Sequence, residues 1–142
     1  MKKRNLETCF SPALYEAERH KSSIVVIIDI LRATSAICSA FANGVRTIIP
    51  VETVDEAREY KKKGFLVAAE RDGIILDFAD FGNSPFNFTR DRIEGKTVVY
   101  STTNGTGIIK LASSAEYVVI GSFLNISALS EWIFNKKQDV LL

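Results

Sequence analysis

Residues 24–28 read Ile-Val-Val-Ile-Ile, five consecutive β-branched apolar side chains. Such a run has no polar face to turn to solvent, so it requires a strand covered on both sides, as in a parallel sheet flanked by helices. The run breaks at Asp29, and Arg32, Thr34 and Ser35 follow at once. Small helix-compatible residues, Ala36 to Ala42, come next and end at Asn43-Gly44. The pattern predicts a core strand, a charged turn and a helix beginning near Thr34 or Ser35. In open α/β sheets that turn lies at the carboxyl end of a strand, where ligands bind. The helix start offers unpaired N–H groups and a positive dipole end, both suited to an anion.

The remaining chain alternates in the same way. Ser11-Pro12 is a helix start, opening a short amphipathic stretch from Ala13 to His20 after an irregular beginning. Thr47–Val51 reads as a strand in which Pro50 demands an edge or a strand end. Thr53 caps a helix over 54–63, with Asp55 and Glu56 in its first turn, lysines in its last and Gly64 as its stop. Residues 65–69, 74–76, 96–100 and 117–120 are further strands; helices are predicted over 107–112 and 127–135. Residues 78–87 form an aromatic-rich loop. Alternating strands and helices define an α/β fold with a mixed, mostly parallel sheet flanked by helices, in a single domain over 1–142. Asp139-Val140-Leu141-Leu142 resembles a strand just beginning, so the sheet is expected to be incomplete and the chain to be the N-terminal portion of a longer protein.

A net charge of +1 supplies no basic excess to neutralise a polyanion, which argues against nucleic acid. No apolar window approaches a membrane span, and no signal-peptide core is present. Cys9 and Cys38 make neither a metal-ligand spacing nor a disulfide framework, so a reducing, cytoplasmic setting is expected.

The unusual polar clusters sit at four strand ends: Asp29/Arg32/Thr34/Ser35, Glu70/Arg71, Ser101 to Thr106, and Ser122/Asn125. With parallel strands, all four fall on one rim and surround one crevice. Carboxylates, guanidiniums, hydroxyls and backbone N–H groups together suit a compact anion, with a hard divalent cation held by Asp29 and Glu70. Each piece also has a structural reading. Asp29 and Arg32 can be an ion pair at a strand end. Ser101–Gly105 can be an N-cap and turn. Glu70-Arg71-Asp72-Gly73 can be a charged hairpin turn, and Asn83-Ser84-Pro85 a plain turn.

Spacing excludes several mechanisms. A haloacid-dehalogenase-type nucleophile needs an acid two residues after its Asp, where Leu31 stands. A cysteine phosphatase needs an Arg six residues after its Cys, where Gly44 and Tyr15 stand. No Walker loop, no dinucleotide-binding glycine fingerprint and no Gly-x-Ser-x-Gly elbow occurs. Metal-assisted attack of water on a phosphate ester remains, as does anion binding without turnover.

Taken in order, Asp29-Ile30-Leu31-Arg32-Ala33-Thr34-Ser35, Ala42-Asn43-Gly44, Glu70-Arg71-Asp72-Gly73, Gly82-Asn83-Ser84-Pro85, Ser101-Thr102-Thr103-Asn104-Gly105-Thr106 and Gly121-Ser122-Phe123-Leu124-Asn125 resemble the 2-phosphosulfolactate phosphatase family. The resemblance runs from about Ser11 to the last residue. It implies an α/β fold, Mg²⁺, a homodimer, a phosphorylated and sulfonated three-carbon acid as substrate, and a place in coenzyme M biosynthesis. Carried onto this chain, Asp29 and Glu70 would bind Mg²⁺ or orient the attacking water, and Arg32 and Arg71 would clamp the anion. Thr34, Ser35, Asn83, Ser84, Thr102, Thr103, Asn104, Gly105, Thr106, Ser122 and Asn125 would form the substrate cradle. Two positions depart from the family pattern: Ala69 stands where Gly precedes the Glu-Arg pair, and Gly107 where an Arg follows the Asn-Gly-Thr turn.

Overall fold

The computed structural model describes residues 4–18, 23–102 and 105–142. In chain order the strands are β1 (Leu6–Glu7), β2 (Ile24–Ile28), β3 (Thr47–Pro50), β4 (Leu66–Arg71), β5 (Ile74–Ile75), β6 (Thr97–Ser101), β7 (Tyr117–Gly121) and β8 (Val140–Leu141). The helices are α1 (Tyr15–Glu18), α2 (Ala33–Ala42), α3 (Val54–Lys62), α4 (Arg90–Ile93), α5 (Gly105–Leu111) and α6 (Ile126–Lys136). The fold is α/β with mostly parallel strands, as the alternation requires, but the strands form two sheets where one was expected. One sheet has the order β1-β8-β2-β7 and the other β3-β6-β4-β5. Every described pairing is parallel except β4 with β5. The connection from β2 through α2 to β3 passes from one sheet to the other, a step that periodicity within either strand does not encode.

The β-branched run fits its place in the first sheet. Ile24 and Val26 pack with Leu129, Trp132 and Ile133 of α6 on one face. Val25 and Ile27 meet Ile108, Ile109 and Ala112 on the other. Gly121 keeps α6 close, because a Cβ there would stand 2.8 Å from Val26 Cγ1 and 3.3 Å from Leu129 Cδ2. In the second sheet, Val98 and Tyr100 face α2 through Ala33, Ala36, Ile37 and Ala40. Val67, Ala69 and Val99 face Ala57 of α3. Helix α2, whose small side chains admit close approach, also packs against Ile120 of β7. It therefore helps tie the two sheets together, as does Ile109 of α5, which packs against both cores.

Local signals placed most boundaries. Thr53 and Glu56 form a capping box: Glu56 N–H donates to Thr53 Oγ1 and Thr53 N–H to Glu56 Oε2, each at 3.1 Å. Gly44 and Gly64 follow α2 and α3 with φ of 86° and 85°, the left-handed conformation that ends helices. Pro50 is the last residue of β3, an edge strand. The stretch from Ser11 is a 3-10 turn over Pro12–Leu14 followed by the single turn of α1. Its expected end at His20 lies outside the described residues.

Candidate active site

A cleft of about 270 Å³ opens between the carboxyl ends of β2, β4 and β6, lined by Asp29, Leu31, Arg32, Glu70, Asp72, Gly73, Asn83 and Thr102. Three of the four polar strand ends therefore meet, together with Asn83 from the aromatic-rich loop. They come from segments far apart in the chain and from both sheets.

Each wall is held by backbone geometry. At the end of β2, Asp29 N–H donates to Thr34 Oγ1 at 3.1 Å, and that hydroxyl donates to Asp29 O at 2.8 Å. Thr34 N–H also donates to Asp29 O, at 3.0 Å. This closes the turn into α2 and leaves the Asp29 carboxylate to the cleft. At the end of β4, Asp72 and Gly73 have φ of 53° and 79° and join Arg71 to its partner Ile74. Positive φ at both positions is the two-residue hairpin turn for which Asp-Gly is suited. The turn brings Gly73 N–H to Glu70 Oε2 at 2.7 Å, fixing a carboxylate that is only 7% exposed. The hairpin reading and the site reading of residues 70–73 thus both hold.

Several residues expected in the cradle are not among the described lining residues or make their described hydrogen bonds within local turns. Arg71 does not line the cleft: its guanidinium donates to Glu70 O at 2.6 Å, Glu52 O at 3.1 Å and Ser101 Oγ at 2.8 Å. It braces the ends of β4 and β6. Thr34 closes its own turn, and Ser35 Oγ donates to Ile30 O at 2.9 Å. Thr106 Oγ1, in the first turn of α5, donates to Thr102 O at 3.3 Å. Ser84 occupies the cap position of a 3-10 turn over Pro85–Asn87. Ser122 and Asn125 form a closed loop at the start of α6. There Ser122 N–H donates to Asn125 Oδ1 at 2.9 Å, Asn125 Nδ2 to Ile120 O at 2.9 Å, and Leu124 N–H to Ser122 Oγ at 3.1 Å. Hydroxyl and amide groups of these residue types serve turns as readily as ligands. Gly105 begins α5; Thr103 and Asn104 lie outside the described residues.

Sequence reasoning missed Tyr100. It is fully buried on the α2 side of β6, and its hydroxyl donates to Asn83 Oδ1, with Ala33 O a further 3.4 Å contact. Burial pushes its ionisation far above the ordinary phenol range; Asp29 and Glu70 raise it further and Arg32 opposes them. Three of the four charged side chains that line the cleft, among the described residues, are therefore felt at one hydroxyl. The available signal was an aromatic residue with a polar tip at an inward-facing position near the end of β6, just before the Ser-Thr-Thr sequence.

A stability consequence follows. The folded state keeps the Tyr100 proton after the unfolded chain has begun to lose it, so this contribution is intact below pH ~10 and declines above it, by about 1.36 kcal/mol per pH unit. Urea titrations at pH 9 to 11 are expected to show a steeper loss for the wild type than for Tyr100→Phe. Parallel curves would refute the assignment.

Among the described residues no three His, Cys, Asp or Glu side chains form a metal-binding group. The cleft nonetheless gathers Asp29, Glu70 and Asp72 against Arg32 as its cationic side chain among the described lining residues. That donor set fits a hard divalent ion which keeps much of its water and takes one or two carboxylates.

The family model described as 2-phosphosulpholactate phosphatase matches residues 9–142. The chain is similar to the probable 2-phosphosulfolactate phosphatase of Thermotoga maritima, at 45% identity over 117 residues, 82% of this chain and 51% of that protein. It is 40% identical over 126 residues to the protein of the same name from Caldanaerobacter subterraneus subsp. tengcongensis, 86% of this chain and 52% of that one. For the Clostridium perfringens (strain SM101) protein, also so named, the figures are 38% over 142 residues, 96% and 58%. The chain thus spans little more than half the length of these curated relatives. With the family model matching residues 9–142 and relatives of that name 38–45% identical over most of this chain, the chain belongs to the 2-phosphosulpholactate phosphatase family.

Proposed function

We propose that this chain supplies the phosphate-ester site of a magnesium-dependent phosphatase acting on 2-phosphosulfolactate or a closely similar small anion. The observation that carries the reading is the meeting of Asp29, Arg32, Glu70, Asn83 and Thr102, from four separate segments, around one small polar cleft. Hydrolysis joins a water oxygen to phosphorus, breaks the ester P–O bond and returns a proton to the departing alcohol. Arg32 offers a planar pair of donors to phosphoryl oxygens. Thr102 and Asn83 add neutral polar groups beside them. A carboxylate at Asp29 or Glu70 orients the water and accepts its proton.

Charge supports the metal. Three carboxylates and one guanidinium among the described lining residues leave the cleft negative at neutral pH, and a dianionic ester does not enter such a site uncompensated. Asp29 and Glu70 would hold Mg²⁺, which supplies Lewis-acid neutralisation of phosphoryl charge. The resemblance carries with it a homodimer and a place in coenzyme M biosynthesis, and the cysteine usage is in keeping with a cytoplasmic setting.

The experiment is phosphate release from 2-phosphosulfolactate by a family-length protein carrying this chain. Turnover is expected with Mg²⁺, to vanish in excess chelator and to return on adding Mg²⁺. Turnover indifferent to chelator would refute the metal. Saturable substrate binding with no phosphate released would replace the phosphatase reading with that of an anion-binding module.

A further inference from the structure

Among the described lining residues the cleft sets three carboxylates against one guanidinium. Asp29, Glu70 and Asp72 all present oxygens, so the side of the Asn83 amide that faces the cavity matters to any anion placed there. Asn83 is 8% exposed, and its amide can present either a carbonyl oxygen or an NH₂ group. The carbonyl would add a further acceptor beside three carboxylates. The NH₂ would add a neutral donor that costs no further buried charge.

Tyr100 decides between them. Its hydroxyl has one proton to give and two acceptors in reach, Asn83 Oδ1 and Ala33 O. Ala33 O stands at 3.4 Å, beyond the usual O–H···O range, so the proton goes to the amide oxygen of Asn83. Tyr100 cannot swing away, because it is wholly buried beside Phe88 and the α2 residues Ala33, Ala36 and Ile37. We propose that Tyr100 is a positioning residue, whose hydroxyl holds Asn83 Oδ1 so that Asn83 Nδ2 is the end offered to an anionic oxygen of the bound ligand. The phenol stays protonated throughout the working range, since burial and the neighbouring carboxylates hold it in that form. Its role is to orient a donor, not to transfer a proton.

This inference rests on the phosphate-ester reading of the same cleft, and the test keeps the two apart. Tyr100→Phe, Asn83→Ala, the double variant and Asn83→Asp are made in the family-length protein. Steady-state kinetics with 2-phosphosulfolactate and calorimetric binding of inorganic phosphate are both read. Losing one oriented hydrogen bond is expected to raise KM and the phosphate Kd about five- to ten-fold in Tyr100→Phe, with kcat changed by less than about two-fold. In the Asn83→Ala background the same substitution is expected to change neither quantity further, because nothing is left to orient. Asn83→Asp keeps the acceptor for Tyr100 but turns an anion toward the cleft, and phosphate binding should fall more than ten-fold.

An unchanged KM and Kd in Tyr100→Phe overturns the proposal. So does an equal effect with and without Asn83, which marks a purely structural role. If Tyr100→Phe does not fold, Asn83→Asp decides alone: phosphate binding like the wild type means that the carbonyl, not the NH₂, faces the cavity. If the wild type releases no phosphate, the phosphatase reading fails, and calorimetry still decides the positioning role. A wild type that binds no phosphate overturns both.

Discussion

Replacing Arg32 by alanine is expected to lower kcat/KM for the phosphate ester about 100-fold, while Arg71→Ala loses stability more than catalysis. The sequence treats these two arginines alike, since each follows a carboxylate at a strand end. The structure separates them. Arg32 lines the cleft together with Asp29, Glu70 and Asp72. Arg71 is committed to Glu70 O, Glu52 O and Ser101 Oγ. Losing Arg32 removes a fork that matches phosphoryl oxygens and tilts the cleft further toward negative charge. Because Arg32 is exposed, water screens part of that loss, and the expected effect sits at the lower end of what a preorganised donor contributes. Arg32→Lys should recover the charge without the paired geometry, and therefore only part of the rate. Equal losses of kcat/KM in Arg32→Ala and Arg71→Ala, at unchanged stability, would count against the site as drawn.

What could be read beforehand was whatever local chemistry determines. Ile24–Ile28 is a strand to the residue, because an unbroken β-branched run has few alternatives. The box at Thr53 and Glu56 and the glycine after α2 were equally legible, since each is decided within a few residues. Strand β1 was not, being two residues long and formed only by pairing with β8 across the length of the chain. The division into two sheets was also hidden, because both sheets use the same strand chemistry. Within the site, residue type located the carboxylates and Arg32 but could not tell ligand from brace. Ser35, Thr34, Ser122 and Asn125 have the composition of an anion cradle and fold into local turns. Tyr100 passed unnoticed for the opposite reason, as a core aromatic whose single polar atom reaches Asn83.

Phe88→Ala should destabilise the fold by about 3–5 kcal/mol, and Phe86→Ala, two residues away, by no more than about 0.5 kcal/mol. Neither spacing nor propensity distinguishes these rings; burial does. Phe88 is fully buried, while Phe86 is 90% exposed. Phe88 meets Phe81 edge-to-face at 5.0 Å between centroids and Tyr100 at 6.1 Å. Truncation there leaves a cavity against the face of β6 that carries Tyr100, so the damage should not end with stability. Freed on one side, Tyr100 holds the Asn83 amide less firmly, and phosphate binding should weaken in Phe88→Ala even well below its unfolding temperature. Phe86→Ala should bind phosphate as the wild type does. Urea midpoints measure the first effect and calorimetry with inorganic phosphate the second. A Phe88→Ala protein that unfolds early yet binds phosphate normally would show that the core supports the fold without supporting the cleft.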